Sequence, residues 1–193
     1  MKRRELIERC LASGALLLAA PRAGASKTLK ATPFCELGPF YKRNAPAVSQ
    51  LHADGLPLAV SGSVYGTGGE PVQGACIEIW QADSAGHYDL EGDKLRASLT
   101  PGEKGAYAFE SVMPGHYPGR VAQHVHYLIT APGYRPLTTQ LYFATDPAFD
   151  GDARNFSRDP IVTSIELVRP VRLISDDKAA RAEVKFDLVL EKA

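Results

Sequence analysis

His124-Val125-His126 is the tripeptide from which chemistry can start. On an extended strand residues i and i+2 point to the same side, so both imidazoles project together while Val125 faces the other way. Two neutral imidazoles so placed are ready metal ligands. Two tyrosines in glycine-containing turns extend the set: Tyr88 in Ala85-Gly86-His87-Tyr88-Asp89, and Tyr117 in Pro114-Gly115-His116-Tyr117-Pro118-Gly119. A phenol is a poor ligand until a strongly Lewis-acidic cation removes its proton. Two tyrosinates and two neutral imidazoles would leave one net positive charge on a ferric ion, and hard anionic oxygen favours Fe(III) over Fe(II), Zn(II) or Cu(I). Each piece alone has a plain alternative. The histidines fit a surface or a hydrogen-bonded core, and each tyrosine fits a packed ring with one hydroxyl partner.

The elements that must position these residues are short and β-rich. The chain has 193 residues, 45% of them hydrophobic and 23% charged, which suits one globular domain. A formal net charge of zero argues against a broad electrostatic grip on nucleic acid. No apolar run approaches the roughly 20 residues of a membrane-spanning helix. Strands are expected at Leu58 to Tyr65, Cys76 to Gln81, Ala106 to Val112, His124 to Thr130, Leu137 to Phe143, Ile161 to Val168 and Val184 to Leu190, separated by turn residues. Asp176 to Ala182 reads as helical, and Thr145 to Pro160 as a loop wrapping the surface. The fold class is therefore all-β, an antiparallel sandwich with long loops.

Residues 1–25 read as an export signal: Lys2, Arg3 and Arg4, then the apolar Leu11 to Ala20, then Ala23-Gly24-Ala25. The paired arginines suggest the twin-arginine route, although the usual Ser or Thr before them is absent. The expectation is a periplasmic or secreted protein, with residues 26–57 as an irregular arm broken by Pro33, Pro39, Pro46 and Pro57 and residues 58–193 as the sandwich. In an oxidising compartment Cys35 and Cys76 could pair, or Cys76 could be an ordinary buried strand thiol.

The order of Glu78-Ile79-Trp80-Gln81-Ala82, Gly86-His87-Tyr88, Pro114-Gly115-His116-Tyr117-Pro118, His124-Val125-His126 and Thr139-Gln140-Leu141-Tyr142-Phe143 resembles the intradiol ring-cleavage dioxygenases, nearest to the small exported protocatechuate-type members. The likeness runs from about Thr32 to Leu190. It implies a prealbumin-like sandwich holding one non-haem Fe(III) per chain, bound by Tyr88, Tyr117, His124 and His126, with Tyr117 the displaceable ligand and proton acceptor. It also implies O2-dependent cleavage of a catecholic ring between its hydroxyl-bearing carbons, giving a cis,cis-muconate-type diacid. An oligomer of like or related chains is expected. Gln140 matches a pocket glutamine, and Tyr142 shares its strand face as a candidate for binding substrate.

The family commonly carries an arginine three residues before the first histidine. Here that position is Val121, and Arg120 lies one residue earlier; a one-residue bulge could restore its aim toward the substrate. His87 and His116 are expected to face solvent or to back the tyrosines. Two other readings compete. A non-catalytic prealbumin-like binding module gives the tyrosines and histidines no reason to occur in this order. A cupin-like enzyme would need a Glu shortly after His126, and none follows.

Overall fold

Alternation sets the strands. Leu58, Val60 and Val64 are buried at even spacing along β1 (Pro57–Gly66), and Ile77 and Ile79 likewise along β2 (Cys76–Gln81). The computed structural model describes residues 28–175 and 179–193. The remaining strands are β3 (Arg96–Leu99), β4 (Ala106–Val112), β5 (His124–Thr130), β6 (Leu137–Phe143), β7 (Val168–Arg169), β8 (Val171–Ser175), β9 (Ala180–Lys185) and β10 (Leu188–Leu190). One sheet joins β4, β1, β10, β9 and β8; the other runs β3-β2-β5-β6-β7. The core lies between them. There the Tyr127 ring of β5 meets Tyr107 and Phe109 of β4 and Phe186, which follows β9, edge-on, at 6.5, 6.3 and 5.3 Å between centroids. Each fully buried aliphatic side chain in this layer, such as Ile79 or Leu141, stabilises the fold by about 1.5–3 kcal/mol.

The β-sandwich reading holds, with mixed rather than purely antiparallel sheets. β1 pairs parallel with β9 through Leu58–Ser61 and with β10 through Val64–Gly66, and β6 pairs parallel with β7. The run expected as one strand over Val184 to Leu190 divides at Phe186 and Asp187. Phe186 turns into the core, and the Asp187 carboxylate replaces a ladder acceptor for the Ser63 amide at 3.0 Å. The expected strand over Ile161 to Val168 is mostly turn. Ser164 caps a short 3-10 segment over Ile165–Leu167, and pairing begins only at Val168. The helical expectation over Asp176 to Ala182 falls partly outside the described residues; Ala180 to Ala182 are strand, because pairing with β8, joined at Ala182 by β1, overrides the high helix propensity of Ala and Arg. Both Cys35 and Cys76 are free thiols.

The arm forms no regular element from residue 28 to 56, yet part of it is hydrogen-bonded along β6 of the β3-β2-β5-β6-β7 sheet. The Cys35 amide donates to Thr138 O at 2.9 Å and the Thr139 hydroxyl to Pro33 O at 2.7 Å.

Candidate metal centre

Pairing in the second sheet places the histidines. β5 lies between β2 and β6, so His126 faces Trp80 on one side and Gln140 on the other, and His124 faces Tyr142. Val125, Tyr127 and Ile129 point into the core, leaving both imidazoles on the outer face, where they are nonetheless buried. Their ring centroids are 4.7 Å apart. The His124 Nδ1–H donates to Ala122 O at 2.8 Å, which fixes the tautomer and leaves Nε2 as the lone-pair atom. His126 has neither ring nitrogen hydrogen-bonded although both are buried. Burial, then the Arg120 cation, pushes the His124 pKa down to about 3; burial, then His124 and Arg120, carries His126 well below its usual value. Both rings are therefore neutral donors.

The two glycine turns bring the phenols to the same spot by packing backbone to backbone. Gly86 has φ +87°, and a Cβ there would lie 1.9 Å from His116 O; a Cβ on Gly115 would lie 2.4 Å from Ser84 O. Only glycine allows this approach. The Gly115 amide then donates to Asp83 O at 2.7 Å. The Tyr88 hydroxyl reaches within 3.4 Å of His124 Nε2, the Tyr88 and Tyr117 rings cross at 5.5 Å between centroids, and Tyr117 lies 5.7 Å from the His124 ring. Burial, then the neighbouring Tyr117, raises the Tyr88 pKa, so this phenol keeps its proton unless a cation displaces it.

Arg120 turns inward and Val121 outward. Tyr117-Pro118-Gly119-Arg120 closes a tight turn, with Gly119 at φ +88° and the Arg120 amide donating to Tyr117 O at 3.1 Å. That turn leaves the Val121 side chain 45% exposed and buries the guanidinium. Arg120 Nη1 donates to His124 Nε2 at 3.2 Å; Nη2 donates to Gln140 Oε1 and Tyr142 Oη, both at 3.0 Å. Tyr142 is fully buried and its hydroxyl donates to Gln140 Oε1 at 2.7 Å, so it backs the guanidinium.

The loop read as a surface wrap carries two buried carboxylates that sequence reasoning missed. Asp146 accepts from the Gln123 and Ala148 amides and pairs with His116 Nε2 at 2.9 Å. Asp159 Oδ2 accepts from Arg120 Nε at 3.3 Å and from the Ala122 amide at 3.0 Å, while Oδ1 accepts from Ile161 N at 2.9 Å. Burial alone would raise the Asp159 pKa; the two amides and the guanidinium outweigh it and hold the group below the usual carboxylate range. His116 thus backs the Tyr117 turn, and His87 lies at the surface, 3.7 Å from Asp83.

The arm roofs the centre. Phe40 stacks on Tyr88 at 4.1 Å, Tyr41 tilts against Trp80 at 5.0 Å, and Trp80 lies flat on His126 at 4.8 Å. A Cβ on Gly38 would come within 3.0 Å of His126 Cε1, and Gln140 Nε2 donates to Glu36 O at 2.9 Å.

Among the described residues no three His, Cys, Asp or Glu side chains group to hold a metal, so a cation here must draw on the phenols. The donor set fits one. A buried imidazole with two unpartnered nitrogens lacks the hydrogen bonds that such a group normally has. The 3.4 Å between Tyr88 Oη and His124 Nε2 suits neighbouring donors on one ion with bonds of roughly 2.0–2.2 Å.

Comparison with known proteins bears on the same residues. The family model described as Dioxygenase matches residues 31–192. A hydroxyquinol 1,2-dioxygenase from Nocardioides simplex is 33% identical, the match covering 84% of this chain and 66% of the relative. A chlorocatechol 1,2-dioxygenase from Rhodococcus opacus is also 33% identical, over 80% of this chain and 70% of the relative, so the chain spans about two thirds of these curated relatives. Among solved structures, the dioxygenase domain of a dioxygenase–carbohydrate-binding protein fusion from Streptomyces sp. SirexAA-E superposes with a TM-score of 0.71 at 35% identity, covering 85% of this chain and 100% of that one.

Proposed function

The chain belongs to the intradiol ring-cleavage dioxygenases, and from that premise we propose that Tyr88, Tyr117, His124 and His126 hold one Fe(III) and that the protein cleaves a catecholic ring with O2. The balance is one diol and one O2 giving one cis,cis-muconate-type diacid, both oxygen atoms entering the product. Bound there, a ferric ion would supply Lewis acidity and a template for two adjacent phenol oxygens. The protein's own residues do the rest. Tyr117, carried on a turn rather than on the sheet, would help hold the ion and would accept a substrate hydroxyl proton at its Oη. Arg120 stabilises negative charge developing on the ring, with Gln140 and Tyr142 fixing the fork of its guanidinium. Phe40, Tyr41 and Trp80 keep water off the centre.

The observation that carries this reading is the meeting of Tyr88 with His124 beside a buried His126 whose two ring nitrogens have no hydrogen-bond partner. A binding module would leave that cluster without purpose. The test is oxygen uptake by the ferric-loaded protein over catechol, protocatechuate, hydroxyquinol and chlorinated catechols, with the product identified. One O2 consumed per diol and a diacid opened between the former hydroxyl carbons is the expected result. No uptake with any of these substrates, or cleavage outside the diol, contradicts the proposal. Export is part of the same proposal and rests on residues 1–25, which lie outside the described residues; a mature chain beginning near Ser26, recovered from the periplasm, is its expected signature.

A further inference from the structure

We infer that Asp159 is a positioning residue of this centre: its carboxylate neutralises Arg120 and holds the Ala122 peptide, so that a guanidinium can stand beside His124 without opposing a cation there. The inference rests on the ferric reading above and deepens it. Arg120 Nη1 donates to His124 Nε2 at 3.2 Å, so a cation bound there must take that lone pair from the guanidinium, which stays close by. A buried positive charge that close to a centre that keeps one net positive charge after its two tyrosinates still opposes it, because few waters intervene to screen the pair. Of the side chains that accept from Arg120, Gln140 Oε1, Tyr142 Oη and His124 Nε2 are neutral; Asp159 carries the charge.

Asp159 also reaches the first histidine by a second route. The same Oδ2 that accepts from Arg120 Nε accepts from the Ala122 amide at 3.0 Å. The carbonyl of Ala122 in turn takes the His124 Nδ1–H at 2.8 Å. One carboxylate therefore sets both the aim of the arginine and the backbone that orients His124. The Ile161 amide on Oδ1 stops the carboxylate from turning away. Partners of this kind, one step removed from a metal, typically change metal affinity by about 10–100-fold.

The test compares ferric-ion retention against EDTA in the full chain for Asp159→Asn and Arg120→Gln, read by the visible tyrosinate band. Asp159→Asn leaves an uncompensated cation and is expected to weaken retention by about 10–100-fold. Arg120→Gln removes the cation and is expected to retain iron at least as well as the wild type, though it turns over poorly. Opposite signs distinguish charge compensation from loop damage, which would weaken both. Equal retention in Asp159→Asn and wild type, or loss in both variants, overturns the inference. If Asp159→Asn does not fold, Arg120→Gln decides alone, with weakened retention as the contradicting result. A wild type that shows no band when ferric-loaded defeats the underlying reading instead.

Discussion

At the residue scale the centre is a cluster of neutral, desolvated donors, and this has a pH consequence. The unfolded chain protonates His124 near 6.5, whereas the native ring resists until about pH 3. The native-state pKa is depressed, so below 6.5 the unfolded state gains protons that the native state refuses, and stability falls as pH falls. For metal-free protein at pH 5 the loss from His124 alone is about 2 kcal/mol, with His126 adding in the same direction. The urea midpoint should drop between pH 7.5 and pH 5, and drop less in His124→Gln; equal pH dependence in the two proteins contradicts it. Arg120→Gln should reduce turnover by about 10²–10³-fold with iron content maintained. Turnover near wild type would remove Arg120 from the chemistry. Tyr88, Tyr117, His124 and His126, which the structure brings together, could be singled out because strand period and turn glycines are local signals and the order of the motifs resembles one family; their role as ligands belongs to the proposal. Asp159 could not be, since its partner Arg120 lies 39 residues away in sequence.

At the element scale the design is two turns pressed together at the end of the sheet that carries the histidines. Gly86→Ala would place a methyl 1.9 Å from His116 O at a positive φ, so the Tyr88 and Tyr117 turns must separate. The expected cost is about 1–3 kcal/mol of stability, measured by urea unfolding, together with a weaker visible band in the ferric protein. Unchanged stability and colour would show that the turns do not depend on this contact. The same scale explains which strands could be read in advance. β4, β5 and β6 alternate or sit between clear turn residues, and their expected limits match the observed ones. β3 escaped notice because it begins with Arg96, a cation that looks exposed but is buried, and β8 because its Leu173 faces solvent on an edge. The late turn over Ile165–Leu167 buries Leu167 at a spacing that mimics a strand.

At the scale of the whole molecule, a segment without regular structure completes the site. The arm is held down by Arg96, whose Nη2 donates to Lys42 O and Arg43 O at 2.5 and 3.0 Å, while Nη1 pairs with Asp93 at 2.5 Å. Proline spacing marked the arm as irregular, but irregularity says nothing about where a segment lies; its role emerges only from the contacts of Phe40 and Tyr41. Arg96→Gln should therefore cost about 2–4 kcal/mol and open residues 36–47 to limited proteolysis. Cleavage no faster than in wild type would mean that the arm is held by its ring contacts instead. The most direct test of the whole account is the visible spectrum of the purified chain loaded with Fe(III), beside Tyr88→Phe and Tyr117→Phe loaded alike. A red-brown tyrosinate charge-transfer band in the wild type, shifted or weakened by each substitution, is the predicted result. An iron-loaded wild type with no visible band, or one that neither substitution alters, would contradict it.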